Sequence, residues 1–185
     1  MKNRTLWIVL AVVALILISG VSMYNGMVST NEAIDSKWGQ VENQLQRRSD
    51  LIPNLVATTK GYAAQEKEIF TQVAEARSKL AGANTVGEKA QADAELSGAL
   101  SRLLVVVERY PELKSDANFR QLADELAGTE NRLAVARKDY NDAVQAYNTR
   151  IKRFPSNMMA NMFGFTAREY FKAADGTQEV PQVQF

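Results

Sequence analysis

The sequence predicts an all-α fold: one N-terminal transmembrane helix, then an elongated antiparallel bundle of three to four long helices and a short C-terminal helix. Three observations lead to this prediction. The 185 residues include only 10 glycines and 4 prolines, a composition that favours helix. A long uncharged segment begins at Thr5. Beyond it, apolar residues recur in alternating steps of three and four, which is the spacing of a heptad repeat.

The uncharged segment extends from Thr5 to Asn31. Within it, residues 6–24 read LWIVLAVVALILISGVSMY, long enough for a helix to cross a hydrocarbon core of roughly 30 Å. We therefore predict a transmembrane helix at 6–24, in contact with the lipid bilayer, after a short segment at 1–5. A cleaved signal peptide is the alternative, with a small-residue site at 20–22. The apolar run continues past that site, which favours retention.

The basic residues beside this helix predict its orientation. Lys2 and Arg4 precede it, whereas only Lys37 follows it closely. Under the positive-inside rule the N-terminus stays in the cytoplasm, and the bundle, predicted at 25–173, lies outside the membrane. A cytoplasmic bundle is the alternative. Subtracting Lys2 and Arg4 from the 22 basic residues leaves 20 against 21 acidic ones, so we expect no nucleic-acid partner.

The first bundle helix is predicted over 30–80, as one helix or two collinear ones. Its seam, the line of heptad positions that faces the partner helix, needs Arg48 in one position. The seam residues are Ile34, Trp38, Val41, Leu45, Arg48, Ile52, Leu55, Thr59, Tyr62, Glu66, Ile69, Val73, Ala76 and Leu80. We expect a kink or break at 50–53, because Pro53 removes a backbone hydrogen bond and clashes with a carbonyl. No proline precedes Trp38, so the transmembrane helix and this helix are predicted to form one nearly continuous rod.

Two further helices are predicted between the glycines of AGANTVG and Pro155. A shorter one spans 86–109, and Tyr110 and Pro111 end it. Its seam residues, in heptad steps, are Leu96, Leu100, Leu103, Val107 and Tyr110. A third long helix spans 116–153 and is capped by Ser115 or Asp116. Its seam residues are Phe119, Leu122, Leu126, Thr129, Leu133, Ala136, Tyr140, Ala143, Tyr147, Ile151 and Phe154. This helix is long enough to lie antiparallel to the first one.

After Pro155, the segment NMMANMFGFTAREYF predicts a short apolar helix that covers the open end of the bundle. Core packing is the preferred interpretation of its methionines and aromatic residues, since Met fills irregular gaps. A peptide-binding or lipid-contacting surface is the alternative. Residues 174–185 are predicted to form an extended tail, with Val180, Val183 and Phe185 lying on the bundle.

Several segments together resemble the LemA family of bacterial membrane proteins. They read YNGMV at 24–28, WGQVENQLQRRSDLIPNLV at 38–56, YPELK at 110–114, FRQLADELAGTENRLAVARKDYNDAVQAYN at 119–148 and FP at 154–155. The RRSDLIPNLV block is more specific than a heptad repeat. The resemblance covers nearly the whole chain and implies a helical bundle behind an N-terminal membrane helix, in the bacterial cell (inner) membrane. It implies no defined biochemical activity.

The chain contains no cysteine and no histidine. Disulfides, thiolate zinc sites, Cys or Ser–His nucleophiles, haem held by His or Cys, and the His ligands of di-iron bundles are therefore excluded. An oxygen-only Mg²⁺ or Ca²⁺ site stays open. No glycine-rich phosphate loop is present. We predict no catalytic residue, no cofactor-binding residue, no metal ligand and no cofactor.

One block of polar residues, Arg47, Arg48, Asp50, Pro53 and Asn54, is the best candidate for a role beyond packing. Arg47 and Asp50 can pair across one helical turn, and Asp50 and Asn54 can satisfy backbone groups freed by Pro53. In this interpretation the block forms a polar clamp around a kinked helix. Alternatively, a buried Arg48 pairs with a carboxylate such as Glu125 or Glu130, and either fixes the helix register or forms an anion site.

A Tyr-Asn pair occurs three times, at Tyr24, at Tyr140 with Asn141, and at Tyr147 with Asn148. Because Tyr140 and Tyr147 lie one heptad apart on the seam, aromatic packing with a hydroxyl at its edge is the default interpretation. Binding of a ligand is the alternative.

The preferred hypothesis is a non-enzymatic envelope protein that acts through protein–protein contacts, as a scaffold bound to other envelope proteins or as a homo-oligomer. Its basis is the absence of catalytic residue types beside long seams and a membrane tether. The alternative is a ligand-binding receptor or carboxylate-based hydrolase with a pocket in the bundle.

Overall fold

The computed structural model describes residues 2–172, with side chains from Leu6 onward. These residues form helices and no strands, which confirms the all-α prediction. The described helices are α1 (Lys2–Tyr62), α2 (Lys67–Gly82), α3 (Val86–Val107), α4 (Pro111–Ser115), α5 (Ala117–Lys152) and α6 (Ser156–Phe163). The described residues group into two compact units. The first unit comprises 2–38 and 139–168, and the second comprises 39–138 and 169–172.

The start of α1 is the one helical stretch among the described residues that is long and apolar enough to cross a membrane. Its side chains are exposed; Trp7, for example, is 71% accessible and Ile18 is 67% accessible. From there α1 continues without interruption to Tyr62. The predicted rod, in which the apolar segment and the first bundle helix are one helix, is therefore confirmed.

The break predicted at 50–53 is wrong, because α1 is unbroken helix through Pro53, while the kink predicted as its alternative stays a prediction. Proline at this position leaves the carbonyl of Ser49 without its usual helical donor. Arg77 of α2 replaces that donor, with Nε 3.0 Å from the Ser49 oxygen. The helix predicted over 30–80 ends instead at Tyr62, one residue beyond Gly61, which is a weak helix former. The prediction of two collinear helices is wrong as well, because Arg77 of α2 reaches back to Ser49.

The second unit contains the last part of α1, helices α2 to α4, and the first part of α5. The packed hairpin of α2 and α3 turns through residues 83–85, and Thr85 with Glu88 forms a capping box on α3. Asp116 caps α5 as predicted, because its Oδ1 accepts the Phe119 N–H at 2.9 Å. Buried seam residues from α1, α3 and α5 make its core: Val41, Leu45, Ile52, Leu55, Leu96, Leu100, Leu103, Phe119, Leu126 and Leu133.

The first unit contains the first part of α1, the end of α5, and α6. Lys37 pairs with Asp139 at 2.8 Å, while Gly26 lies against Arg150. Since the numbers rise on α5 as they fall on α1, the two helices are antiparallel here, as predicted. Its core residues are Met27, Ile34, Tyr140, Val144, Tyr147 and Ile151. Two positions of the predicted α5 seam differ from the structure. Val144 is buried instead of Ala143, and Phe154 is exposed.

The C-terminal apolar helix is shorter than predicted, because Gly164 ends it. Gly164 adopts a left-handed backbone with φ of 74°, and the Phe165 N–H closes the end by donating to the Ala160 carbonyl at 2.9 Å. The predicted core packing is wrong for Met158, Met162 and Phe163, which are 62%, 73% and 53% exposed. Phe171, by contrast, is buried.

The predicted tail at 174–185, with Val180, Val183 and Phe185, lies outside the described residues. The domain limits at 1–5, 6–24 and 25–173 stay predictions.

Candidate functional site

A buried ion cluster lies at the centre of the second unit. Arg48 occupies the predicted seam position on α1 and is only 4% exposed. On α3, Asp93 is 2% exposed, and its Oδ1 lies 2.6 Å from Nη1 of Arg48. Nη2 of Arg48 donates to the Ser97 hydroxyl at 2.9 Å, and that hydroxyl donates to the Asp93 carbonyl. Arg48 is thus bound to α3 through two different groups.

Helix α5 supplies a second cation and a second carboxylate to this cluster. Arg137 donates from Nη2 to the other carboxylate oxygen of Asp93. Glu130 Oε2 lies 3.1 Å from Arg48 Nη1, within ion-pair range but without hydrogen-bond geometry. Glu130 Oε1 is 3.8 Å from Arg137 Nη1. Two guanidinium groups and two carboxylates balance, so the cluster carries no net charge at neutral pH.

Burial is the main electrostatic influence on both arginines. It lowers the pKa of Arg48, and the nearby carboxylate of Glu130 opposes that change. Burial, together with the positive charge of Arg48, lowers the pKa of Arg137 to about 10. Both guanidinium groups remain protonated at neutral pH, and their charges are matched within the cluster.

The returning chain covers one side of this cluster. The ring of Phe171 lies 5.0 Å from Cζ of Arg137, within cation–π distance. Glu169 approaches α3 at Gly87, where an added Cβ would lie 2.7 Å from Oε1 of Glu169. Phe171 therefore belongs to the wall of this site, while Glu169 contacts α3 at Gly87, six residues before Asp93.

Two surface grooves of the second unit lie away from the cluster. The larger, of about 730 Å³, is an open groove lined by residues such as Lys60, Lys67, Phe70 and Glu75. The other is lined by residues around Gln46, Ser49 and Arg77. Within residues 2–172, no group of three or more carboxylates is placed to hold a metal ion.

The first unit holds a different polar arrangement, which we call the amide clamp: Tyr147 and Asn148 of α5 with residues 166–168. The Asn148 side chain donates to the Arg168 carbonyl at 2.9 Å and accepts the Arg168 N–H at 2.8 Å. The Tyr147 hydroxyl donates to the Thr166 carbonyl at 3.1 Å. Burial raises the pKa of Tyr147, and the charge of Arg168 opposes this rise. The clamp fixes the extended chain after α6 against α5.

The LemA family model matches residues 37–185. The chain belongs to the LemA family. This match begins after the apolar segment, so the YNGMV block at 24–28 lies outside it. The predicted family is confirmed over the remaining blocks.

Among curated relatives of this LemA-family chain, magnetosome proteins MamQ 1 and MamQ 2 of Paramagnetospirillum magneticum are each 34% identical over 176 residues. These matches cover 80% of this chain and 64% of either relative, so the chain spans less than two thirds of their length. Magnetosome protein MamQ of Magnetospirillum gryphiswaldense is 29% identical, covering 86% of this chain and 70% of the relative. Protein LemA of Metamycoplasma hominis is 23% identical, covering 82% and 69%.

The predicted polar block of the LemA-family chain separates in the structure. Arg48 is buried, whereas Arg47, Asp50, Pro53 and Asn54 are exposed. Asp50 accepts a hydrogen bond from Gln46 at 2.8 Å. The sequence predicted that Asp50 and Asn54 satisfy the backbone groups freed by Pro53. In the structure Arg77 donates to the freed carbonyl of Ser49.

The Tyr-Asn pairs of α5 lie in the first unit. Tyr140 is 1% exposed, and its ring centroid is 5.2 Å from that of Trp38, as expected for aromatic packing. Tyr147 and Asn148 form the amide clamp, while Asn141 is half-buried. A ligand role for these residues stays a prediction.

Of the two carboxylates predicted as partners of Arg48, Glu125 and Glu130, it is Glu130 that lies beside it, whereas Asp93 and Arg137 were not predicted. A signal for Asp93 was present: three residues before Leu96, it continues the α3 seam toward the N-terminus. A carboxylate on one seam and a guanidinium on another predict a buried pair. Arg168 carried no such signal, because its role depends on its backbone.

Proposed function

We propose that this LemA-family protein is a single-pass, non-enzymatic scaffold of the bacterial cell (inner) membrane that acts through protein–protein contacts, with other envelope proteins or with its own copies. The observation that carries the proposal is the continuity of α1. The helix that is apolar enough to cross the membrane runs on to Tyr62, deep into the second unit. A single helix that contains both the apolar segment and core residues of the second unit suits a membrane-tethered protein that acts through contacts.

The state of the buried polar groups supports a structural role. Nη1 and Nη2 of Arg48 face Asp93, Glu130 and Ser97, while its buried Nε has no hydrogen-bond partner. With both terminal nitrogens matched, the cluster resembles a register device more than a vacant anion site. The names of the relatives denote no enzymatic activity.

Exposed apolar side chains of the second unit supply candidate contact points. On α3, Leu104 is 42% and Val105 is 69% exposed, and on α5 Val135 is 62% exposed. A partner that covers these side chains would remove apolar surface from water, which favours association.

The lack of cysteine makes a direct test possible, since every introduced cysteine is the only one. Val105→Cys and Val135→Cys variants are expressed in cells and treated with a bifunctional thiol cross-linker in intact membranes. We expect defined products above monomer size, either dimers or complexes with another protein. The matched control is Ser101→Cys, an exposed polar position on α3 that should give weaker products. Monomers alone from all three variants would overturn the scaffold proposal.

The side of the membrane needs its own test. We propose a cytoplasmic N-terminus and an extracytoplasmic bundle, from Lys2 and Arg4 before the apolar segment. Reporter enzymes that are active on only one side of the membrane are fused to Phe185. Activity of the periplasmic reporter alone is expected, and activity of the cytoplasmic reporter alone would reverse the orientation.

A receptor or a carboxylate-based hydrolase is the second candidate. The open groove beside Lys60, Lys67, Phe70 and Glu75 favours it, because it combines an aromatic wall with charges of both signs. The double variant Lys67→Ala with Glu75→Ala changes two exposed residues of the groove and should leave the cross-linked products unchanged if the protein is a scaffold. Loss of cellular function with normal cross-linking would favour a ligand in this groove.

A further inference from the structure

The outer face of α6 is an exposed apolar surface in the first unit. Phe154, just before the helix, is 80% exposed, and Met158 and Met162 are 62% and 73% exposed. Spacing by four residues places Met158 and Met162 on one face of α6, and Phe154 is exposed just before the helix begins. Phe163 beside them is 53% exposed. We call these four residues the α6 apolar face. Clustered exposure of large apolar groups marks a surface that another apolar medium covers.

This face lies next to the last turns of the predicted membrane span. The terminal methyl of Met159 is 3.6 Å from the place that a Cβ on Gly20 would occupy. The rings of Tyr24 and Phe163 meet edge to face, with centroids 4.9 Å apart. Both Gly20 and Tyr24 belong to the uncharged apolar segment at 6–24. Helix α6 is therefore level with the end of that segment.

The charge pattern around α6 changes over a short distance. Residues 154–167 read FPSNMMANMFGFTA and include no charged residue, whereas Lys152 and Arg153 precede them directly. The guanidinium of Arg150 packs on α1 at Gly26, about 9 Å farther along the helix axis than Gly20. Along α1, apolar residues of α6 therefore lie beside Gly20, and the basic side chain of Arg150 lies beside Gly26. This is the order of the acyl chains and the anionic headgroups of a bilayer surface.

We propose that α6 is an interfacial membrane helix, with its apolar face inserted among the lipids beside α1. Its eight residues span about 12 Å, too short to cross a bilayer but suited to lying in its surface. Arg150, Lys152 and Arg153 contact anionic phospholipid headgroups. The chain thereby touches the membrane twice, at the span and at α6. The inference rests on α1 crossing the membrane and goes beyond the scaffold role.

The test uses single-cysteine variants of the full chain in lipid vesicles. An environment-sensitive fluorophore is attached at Met158→Cys or Met162→Cys, and quenching is measured with nitroxide lipids and with aqueous iodide. We expect strong quenching by the lipids and weak quenching by iodide, because these positions lie about 5–10 Å deep. The matched control, Gln145→Cys, is exposed on α5 of the same unit and should show the reverse pattern.

A probe at Ile16→Cys tests the membrane span separately from the interfacial position of α6. Lipid quenching at 16 but not at 158 and 162 would overturn the interfacial helix while leaving the span intact. Absence of lipid quenching at 16 would overturn the span. Protection of 158 and 162 from both quenchers would show that protein covers this face, either a second copy or another partner, and would also overturn the proposal.

The basic residues have a separate readout with the same probe. With the nitroxide on an anionic lipid, quenching at 158 should exceed that with a neutral nitroxide lipid. The double variant Lys152→Gln and Arg153→Gln should remove most of this excess, because it removes the charges that attract anionic headgroups. Equal quenching by the two lipids in the labelled protein that keeps Lys152 and Arg153 would contradict the headgroup contact.

Discussion

The two units solve the same problem, a polar side chain inside a helical core, in different ways. In the second unit Arg48 and Asp93 are buried as ions, and Arg137 and Glu130 balance their charges. In the first unit Asn148 and Tyr147 are buried as neutral groups, and they bind backbone atoms of residues 166–168. One arrangement joins three helices to each other, whereas the other holds an extended segment against one helix.

This difference predicts different costs when a member is lost. Removing one ion leaves its partner charged and buried, which is the most expensive outcome in a protein interior. Removing a neutral hydrogen-bonding group leaves unpaired backbone atoms, at a smaller cost that is confined to the segment it held. The following substitutions test that ranking.

Arg48→Ala should have the largest effect, a loss of about 3–5 kcal/mol in the free energy of unfolding, because Asp93 is left buried with fewer cations. Denaturant unfolding in detergent measures it. Exposed Arg47→Ala is the matched control and should cost less than about 0.5 kcal/mol.

The double variant Arg48→Leu with Asp93→Leu removes one charge of each sign. It should recover most of the loss, since Arg137 and Glu130 still balance. A double variant no more stable than Arg48→Ala would contradict the ionic account.

Asn148→Ala should lower stability by about 2 kcal/mol, because it removes both hydrogen bonds to Arg168. Native-state hydrogen exchange should show faster exchange of the Arg168 amide. Thr149→Ala, exposed on the same helix, should leave that amide protected. Unchanged protection in Asn148→Ala would remove the amide clamp from the account.

Arg77→Ala should cost about 1 kcal/mol, because the Ser49 carbonyl beside Pro53 loses its donor. The cost should fall close to zero in a Pro53→Ala background, where residue 53 regains the N–H that a regular helix uses. Ser78→Ala serves as the exposed control on α2. Equal costs in both backgrounds would show that Arg77 acts in some other way.

Tyr147→Phe should have the smallest effect, and one that depends on pH. Burial raises the pKa of Tyr147 in the folded protein, so its contribution is fully present below the ordinary tyrosine value of about 10. It is lost as the pH rises through the folded-state pKa. The stability difference between the unsubstituted protein and Tyr147→Phe should therefore shrink in alkali, as unfolding at two pH values will show. A difference that grows with pH would contradict the assigned direction.

Much of the fold was predictable from the spacing of apolar residues. The seam of α1 correctly placed Ile34, Val41, Ile52 and Leu55 in the core, and Asp116 was correctly predicted as the cap of α5. These features are local, since they depend on helical periodicity and on one turn of backbone.

The wrong predictions depend on contacts between distant residues. Pro53 does not break α1 because Arg77, 24 positions later in the sequence, supplies the missing donor. Met158 and Met162 are exposed, although the apolar composition of their segment is typical of a core. In the site, Arg48 was predicted to be buried. Asp93 lies on the α3 seam, but which residue of that seam meets Arg48 depends on how α3 packs against α1. A single sequence carries little information on such pairings.

An accessibility scan tests whether α1 continues as one helix from the membrane into the bundle. Single cysteines at successive positions from Leu17 to Val41 are spin-labelled in the reconstituted protein, and collisions with oxygen and with a water-soluble paramagnet are measured. We predict an unbroken period of 3.6 residues along the whole scan, with the change from lipid to water near Tyr24 to Gly26. A loss of the helical period between the lipid-exposed and the water-exposed part of the scan would contradict the continuity of α1. Exposure of Leu17 to water would contradict the membrane span.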